Sequence, residues 1–152
     1  RRIMELGRSC IARDYRSRRT MELLWHGAWA TAVQEKADAM FGCASLAGTD
    51  ITSHEARLSW LATHASLPLG QQCRPRQEGT DFRAFDAPAT TRTFAALPAL
   101  LKGYLRLGAK VSPFAVPDHA FNTTDFLVVL DVATINPRYL AHYGQQATRF
   151  AV

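Results

Sequence analysis

The sequence predicts an α/β fold, a mixed β-sheet flanked by helices. Short apolar runs suited to strands alternate with stretches whose apolar residues recur at helical spacing. The order read along the chain is β-α-β-α-(β)-α-β-α, which places helices against the faces of one sheet. At 152 residues, the whole of 1–152 is read as a single domain able to bury a real core.

Residues 3–11 partly alternate, with Ile3, Leu6 and Ile11 apolar and Glu5 and Arg8 polar, so they are read as a strand. Gly7 within it suggests a bulge or a close backbone approach. A basic turn over 12–19 leads to a helix over 20–37, whose Met21, Leu24, Ala28 and Ala32 share one face. The continuous apolar run 39–46 reads as a strand covered on both faces. Thr52 and Glu55 have the spacing of a capping box for a helix over 53–66.

The segment 68–93 has no clear period, although Asp81 to Phe85 could pair as a strand. Leu97, Leu100, Leu101, Tyr104 and Leu107 share a face of a third helix that stops at Gly108. Phe126 to Leu130 is a strand, and Asn136-Pro137 opens a last short helix through Tyr143. The chain opens on Arg-Arg directly before a strand, which leads us to expect the later part of a longer chain.

Composition narrows the function classes. Hydrophobic residues make up 47% and charged residues 20%, a globular mix rather than a disordered one. No run approaches the ~18 apolar residues of a membrane span. The three cysteines, Cys10, Cys43 and Cys73, have no metal-ligand spacing and read as free thiols of a reducing, cytoplasmic compartment. The histidines are scattered, so no metal site is expected. The net charge of +5 comes mainly from arginines in the first twenty residues and around Arg74 and Arg76. Such a patch draws an acidic partner: a phosphate, an acidic protein, an anionic lipid or a nucleic acid. Aromatics do not interleave with the arginines, which argues against nucleic acid.

Two groups of residues could carry chemistry. Arg16, Ser17, Arg18, Arg19 and Thr20 sit where a helix begins, and a helix N-terminus with arginines suits bidentate phosphate contact. A solvated basic loop would have the same composition. Glu5 could take a proton from an amine, because an α-ammonium near pKa 8 needs a base to become nucleophilic at neutral pH. An ordinary ion pair is the plain alternative for Glu5. Cys10 and Cys43 lie in apolar runs, where inert thiols are the rule.

The segments ELGRSC (Glu5 to Cys10) and DYRSR…ELLWHG (Asp14 to Gly27) resemble a known family. MFGCASLAGTD (Met40 to Asp50), LPALLKGYLRLGAKV (Leu97 to Val111), FNTTDFLVVL (Phe121 to Leu130) and INPRYLAHYG (Ile135 to Gly144) extend the likeness in the same order. It is that of the ornithine-lipid-forming N-acyltransferases, GNAT-like relatives of the acyl-homoserine-lactone synthases. The segment 68–93 matches least. The resemblance implies a GNAT-like sheet whose first strands come from an upstream half. It implies transfer of a 3-hydroxyacyl group from acyl carrier protein to the α-amine of ornithine, the first step of ornithine lipid synthesis.

The Glu-x-Gly-Arg pattern then makes Glu5 the base and Arg8 its structural or substrate partner, both catalytic. Tyr104, four residues before Gly108, matches the Tyr-x-x-x-Gly ending whose phenol protonates the departing thiolate. Backbone N–H groups near Ser9 and Cys10 would stabilise the oxyanion, and Arg16, Ser17, Arg18, Arg19 and Thr20 would bind phosphopantetheine and the carrier. Asp50 is expected to anchor the acceptor's side-chain ammonium. The turn Tyr15-Arg16-Ser17-Arg18-Arg19 lacks the glycines of the usual pyrophosphate loop. That departure favours an acyl-phosphopantetheine thioester over coenzyme A as donor, with no tightly bound cofactor. Peripheral contact with the anionic inner face of the membrane is a further expectation. The rivals are another carrier-dependent N-acyltransferase, making an N-acyl amino acid or an acyl-homoserine lactone, and a non-catalytic module that binds carrier protein or anionic surfaces.

Overall fold

The computed structural model describes residues 1–7 and 9–135, with Arg18 in its backbone only. Among these, five strands form one mixed sheet in the order β1-β2-β5-β4-β3. Strand β1 (Ile3–Glu5) runs parallel to β2 (Ala39–Ala47), and the connection between them contains helix α1 (Arg18–Gln34). Strands β3 (Thr80–Asp81), β4 (Lys110–Asp118) and β5 (Thr123–Asp131) complete it, with β5 antiparallel to both β2 and β4. Helices α2 (Glu55–Ala65), α3 (Thr91–Ala95) and α4 (Ala99–Leu107) lie between β2 and β4 in sequence.

The register fixes which side chains face which way. Met40, Ala44 and Leu46 of β2 stand level with Leu130, Phe126 and Thr124 of β5. They join Met4 and Leu6 in the core, with Trp25 and Trp29 of α1, Leu58 and Leu61 of α2 and Leu101 of α4 packed against them. β5 therefore alternates strictly, its even-numbered residues buried and its odd-numbered ones half-buried. The opposite face differs. Phe41 is half-buried and Cys43 and Ser45 are exposed, so among the described residues β2 is covered on one face rather than two.

Several expectations are corrected. The strand expected over 3–11 pairs only through Glu5, with one further ladder bond from the Leu6 N–H to the Phe41 carbonyl at 2.7 Å. Asp81 to Phe85 is not a strand: after the two-residue pairing the chain winds into a turn over Phe82–Ala84, capped by Asp81. The signal at Thr52 and Glu55 is not a capping box. Asp50 instead caps a turn over Ile51–His54 that leads into α2. Strand β4 went unanticipated because Pro113 and Pro117 cannot donate to a ladder. It accommodates Pro113 in an irregularity between Val111 and Ala115. The helix ending at Gly108 holds, and Gly108 takes the left-handed conformation (φ 105°) that lets the Ala109 N–H reach the Tyr104 carbonyl. The helix expected from Asn136 lies outside the described residues.

Candidate active site

The site forms where β1 leaves β2. A side chain at Gly42 would come within 3.2 Å of the Leu6 carbonyl oxygen, so glycine there lets the departing chain cross close over β2. Past Leu6 the chain lies on the helix-covered side, where Ser9, Cys10 and Ile11 form one wall of a cleft of about 520 Å³. Arg16 and Ser17 form its rim, Met21, Leu24 and Trp25 of α1 its floor, and Leu100 and Tyr104 of α4 the far wall. A narrower slot continues past Leu6, Trp25 and Tyr104 to Gly42 and Cys43 on β2.

The helix start at the rim is built by local bonds. Ser17 caps α1, its hydroxyl accepting from the Thr20 N–H at 3.1 Å and sharing a 2.9 Å bond with the Thr20 hydroxyl. Arg16 donates from Nε to the Ile11 carbonyl at 3.2 Å, tying the turn to the cleft wall. Arg18 is the first helical residue, Arg19 follows it in the open, and Thr20 is half-buried. The first N–H groups of a helix have no intrahelical acceptor, so this end favours an anion.

Tyr104 sits at the junction of cleft and slot, its ring 4.9 Å from that of Trp25 in an edge-to-face contact. Burial pushes its phenol above the usual tyrosine value, so it stays protonated through the neutral range. Glu5 is on the other side of the sheet. It is level with Phe41, and its carboxylate bends along the strand until Oε1 lies only 2.8 Å from where a Cβ on Gly7 would be. Cys43 stands beside it. Burial, then Asp125, then Glu5 push the Cys43 thiol up, which keeps it protonated and a poor nucleophile.

Of the residues singled out from sequence, Ser9, Cys10, Arg16, Ser17 and Tyr104 line one cleft, and Glu5 lies across the sheet at its inner end. Arg8 lies outside the described residues. Asp50 is not brought to this place. It follows the far end of β2, and its carboxylate accepts from the Thr52 hydroxyl at 2.6 Å and the Thr52 N–H at 3.0 Å. Those bonds, the hydroxyl first, hold its carboxyl below the usual range. Gly42, Trp25 and Asp125 were missed as site residues. Asp125 left no signal of its own, because the same strand carries Thr123, Thr124 and a second carboxylate at Asp131. Among the described residues no group of three or more His, Cys, Asp or Glu side chains could hold a metal.

The cleft and the slot together connect the two faces of the sheet at Gly42 and Cys43. The first 26 residues match the acetyltransferase (GNAT) domain family. An L-ornithine N(alpha)-acyltransferase of Agrobacterium fabrum is 46% identical over 98% of this chain and 52% of its own length. One of Rhizobium meliloti is 46% identical over 99% of this chain and 52% of its own length. The chain belongs to their GNAT-like acyltransferase family. A more distant relative of the same name, from Rhodobacter capsulatus, is 35% identical over 96% of the chain and 57% of its own length. The chain thus spans about half the length of the curated relatives it matches. No solved structure matches it. No helix among the described residues is long and apolar enough to cross a membrane.

Proposed function

We propose that the intact protein is an N-acyltransferase that moves a 3-hydroxyacyl group from acyl carrier protein to the α-amine of ornithine, opening ornithine lipid synthesis. The names of the relatives support the acceptor. One observation carries the reading. Ser9, Cys10, Arg16, Ser17 and Tyr104 share a largely apolar cleft that leads to the Gly42–Cys43 slot beside Glu5.

In this reading the phosphopantetheine phosphate rests at the N-terminus of α1 near Arg16, Arg18 and Arg19, with Thr20 in reach. The acyl chain occupies the apolar part of the cleft, and the thioester carbonyl meets backbone N–H groups near Ser9 and Cys10. The α-ammonium gives up a proton to Glu5 and becomes nucleophilic. Nitrogen attacks the thioester carbon, the C–N bond forms and the C–S bond breaks. The Tyr104 phenol supplies a proton to the departing sulfur, the second nitrogen proton restores the phenol, and Glu5 returns the first proton to solvent. Arg8 partners Glu5 or the substrate. The donor brings its own activated acyl group, so the step needs no resident cofactor. The same arginines suit an anionic membrane, so the protein would act in the cytoplasm at that surface.

The test is to incubate the intact gene product with 3-hydroxyacyl carrier protein and a panel of amines, with products read by mass spectrometry. N-acyl-ornithine is the expected product. Another acylated amine would keep the mechanism and replace the acceptor. Carrier binding with no product at all would overturn the catalytic reading.

A further inference from the structure

The sheet face away from the helices carries a second cleft, of about 310 Å³. Cys43 of β2, Asp125 and Leu127 of β5, Phe114 of β4 and Arg74 of the preceding loop line it. Cys43 also lines the slot below Tyr104, so this cleft and the donor cleft meet at one point of β2. Within it, Oδ1 of Asp125 is shut off from solvent and receives no hydrogen bond among the described residues. Asp125 is half-buried and lines the cleft, so a turn about its Cβ–Cγ bond presents the oxygen that lacks a protein donor to a ligand there, which removes the cost of leaving it unpaired.

The charges around the cleft form a pattern. Asp125 lines it and Glu5 stands on β1 beside Cys43, both close enough to act on the Cys43 thiol. Arg74 is the cation, its guanidinium carbon 5.2 Å from the centre of the Phe114 ring. Arg74 lies on the β4 side of Asp125, away from Glu5, so the stretch between the two carboxylates suits a molecule with an ammonium at each end.

The spacing agrees. Glu5 is level with Phe41 and Asp125 with Ser45, two strands away from Glu5. Strand spacing and rise, with the Glu5 carboxylate folded forward over Gly7, put the two carboxylates roughly 12 Å apart. Two nitrogens joined through a four-carbon chain span about 6 Å extended, and a hydrogen bond at each end brings the reach to about 12 Å.

We propose that this cleft holds the acceptor, with Asp125 receiving the distal ammonium of a diamino acid, so that its α-nitrogen is delivered to Glu5. The assignment rests on the N-acyltransferase reading above. It makes Asp125 a specificity-determining residue for the side chain rather than for the chemistry.

Ornithine and norvaline share a carbon chain and differ in the δ-amine, so the pair isolates this contact. In the intact protein, kcat/KM for ornithine should exceed that for norvaline by at least about tenfold. Asp125→Asn should raise the ornithine KM by roughly 30-fold or more, leaving kcat and the norvaline kcat/KM close to wild type. Equal use of ornithine and norvaline by the wild type would overturn the assignment whatever the variant does. So would an Asp125→Asn protein of unchanged melting temperature that loses both acceptors equally or neither. A wild type that acylates no amine at all would instead remove the functional reading on which the assignment rests.

Discussion

The two faces of the sheet are built to different specifications. On one, α1, α2 and α4 cover β2 and β5, and the cleft between α1 and α4 is lined mainly by apolar side chains with a protonated phenol at its inner end. On the other, β2 and β5 present Cys43 and Asp125 to a cleft with Arg74 at its side, and Glu5 of β1 stands beside Cys43. Period-two alternation produces both from one set of strands. The faces meet where β1 leaves β2, and there the strand residue is Gly42. A thioester and an ammonium need unlike surroundings, and a sheet offers one of each across the thickness of a strand.

The largest effect is expected from changes that disable the charged face alone. Glu5→Gln should lower kcat by about 10²- to 10⁴-fold while carrier-protein binding stays at the wild-type value. Equal loss of binding and turnover would end the role of Glu5 as a base. Tyr104→Phe acts from the apolar face and should cost about 10- to 100-fold in kcat. Its pH profile should keep the acid limb set by the amine and its base.

Gly7→Ala is a subtler probe. The new methyl would meet only the end of the Glu5 side chain, so turnover should fall about tenfold through displacement of the carboxylate. The melting temperature should not move, and a large fall in it would show that Gly7 serves the fold instead. Filling the donor cleft with Leu100→Trp should shift preference toward shorter acyl chains, seen in the product masses, with ornithine KM unchanged.

The smallest effect concerns stability. Arg83 hydrogen-bonded to Asp81 holds that carboxyl below 3.8, so its contribution is present above that pH and is lost as pH falls through the lower folded value. The pair is largely exposed and screened by solvent, so it contributes little. Asp81→Asn should therefore flatten the acid limb of the melting-temperature curve slightly below about pH 4 and leave the neutral value almost unchanged.

Much of the fold was legible because local chemistry and tertiary environment agree. The run 39–46 became β2, Phe126 to Leu130 lies within β5, and Gly108 ends α4. The failures have physical reasons. Pro113 and Pro117 argue against a strand locally, yet β4 is held by β5, which takes Pro113 at an irregularity and pairs Pro117 with Thr124. The strand over 3–11 is short because its register ends where the chain crosses Gly42, a tertiary event with no mark in the period. Arg16 and Ser17 could be picked out because they sit at a helix start, and Tyr104 because it precedes a helix end, whereas Ser9 and Cys10 came from the family resemblance. Asp125 could not, because the oxygen that sets it apart is buried only when β2, β4, β5 and the loop at Arg74 come together. Asp50 misled because an acidic residue after a strand serves a cap as readily as a ligand.

Native cysteines mark each face, which allows the separation of donor from acceptor to be measured directly. Cys10 lines the apolar cleft, Cys43 lines the charged one and the slot that joins the two, and both thiols are exposed. Alkylation of the intact protein, followed residue by residue by mass spectrometry, should show ornithine slowing reaction at Cys43 and leaving Cys10 at its free rate. An acyl-pantetheine should slow Cys10. Protection of Cys10 by ornithine, or Cys43 as reactive with ornithine as without it, would contradict a site divided between the two faces.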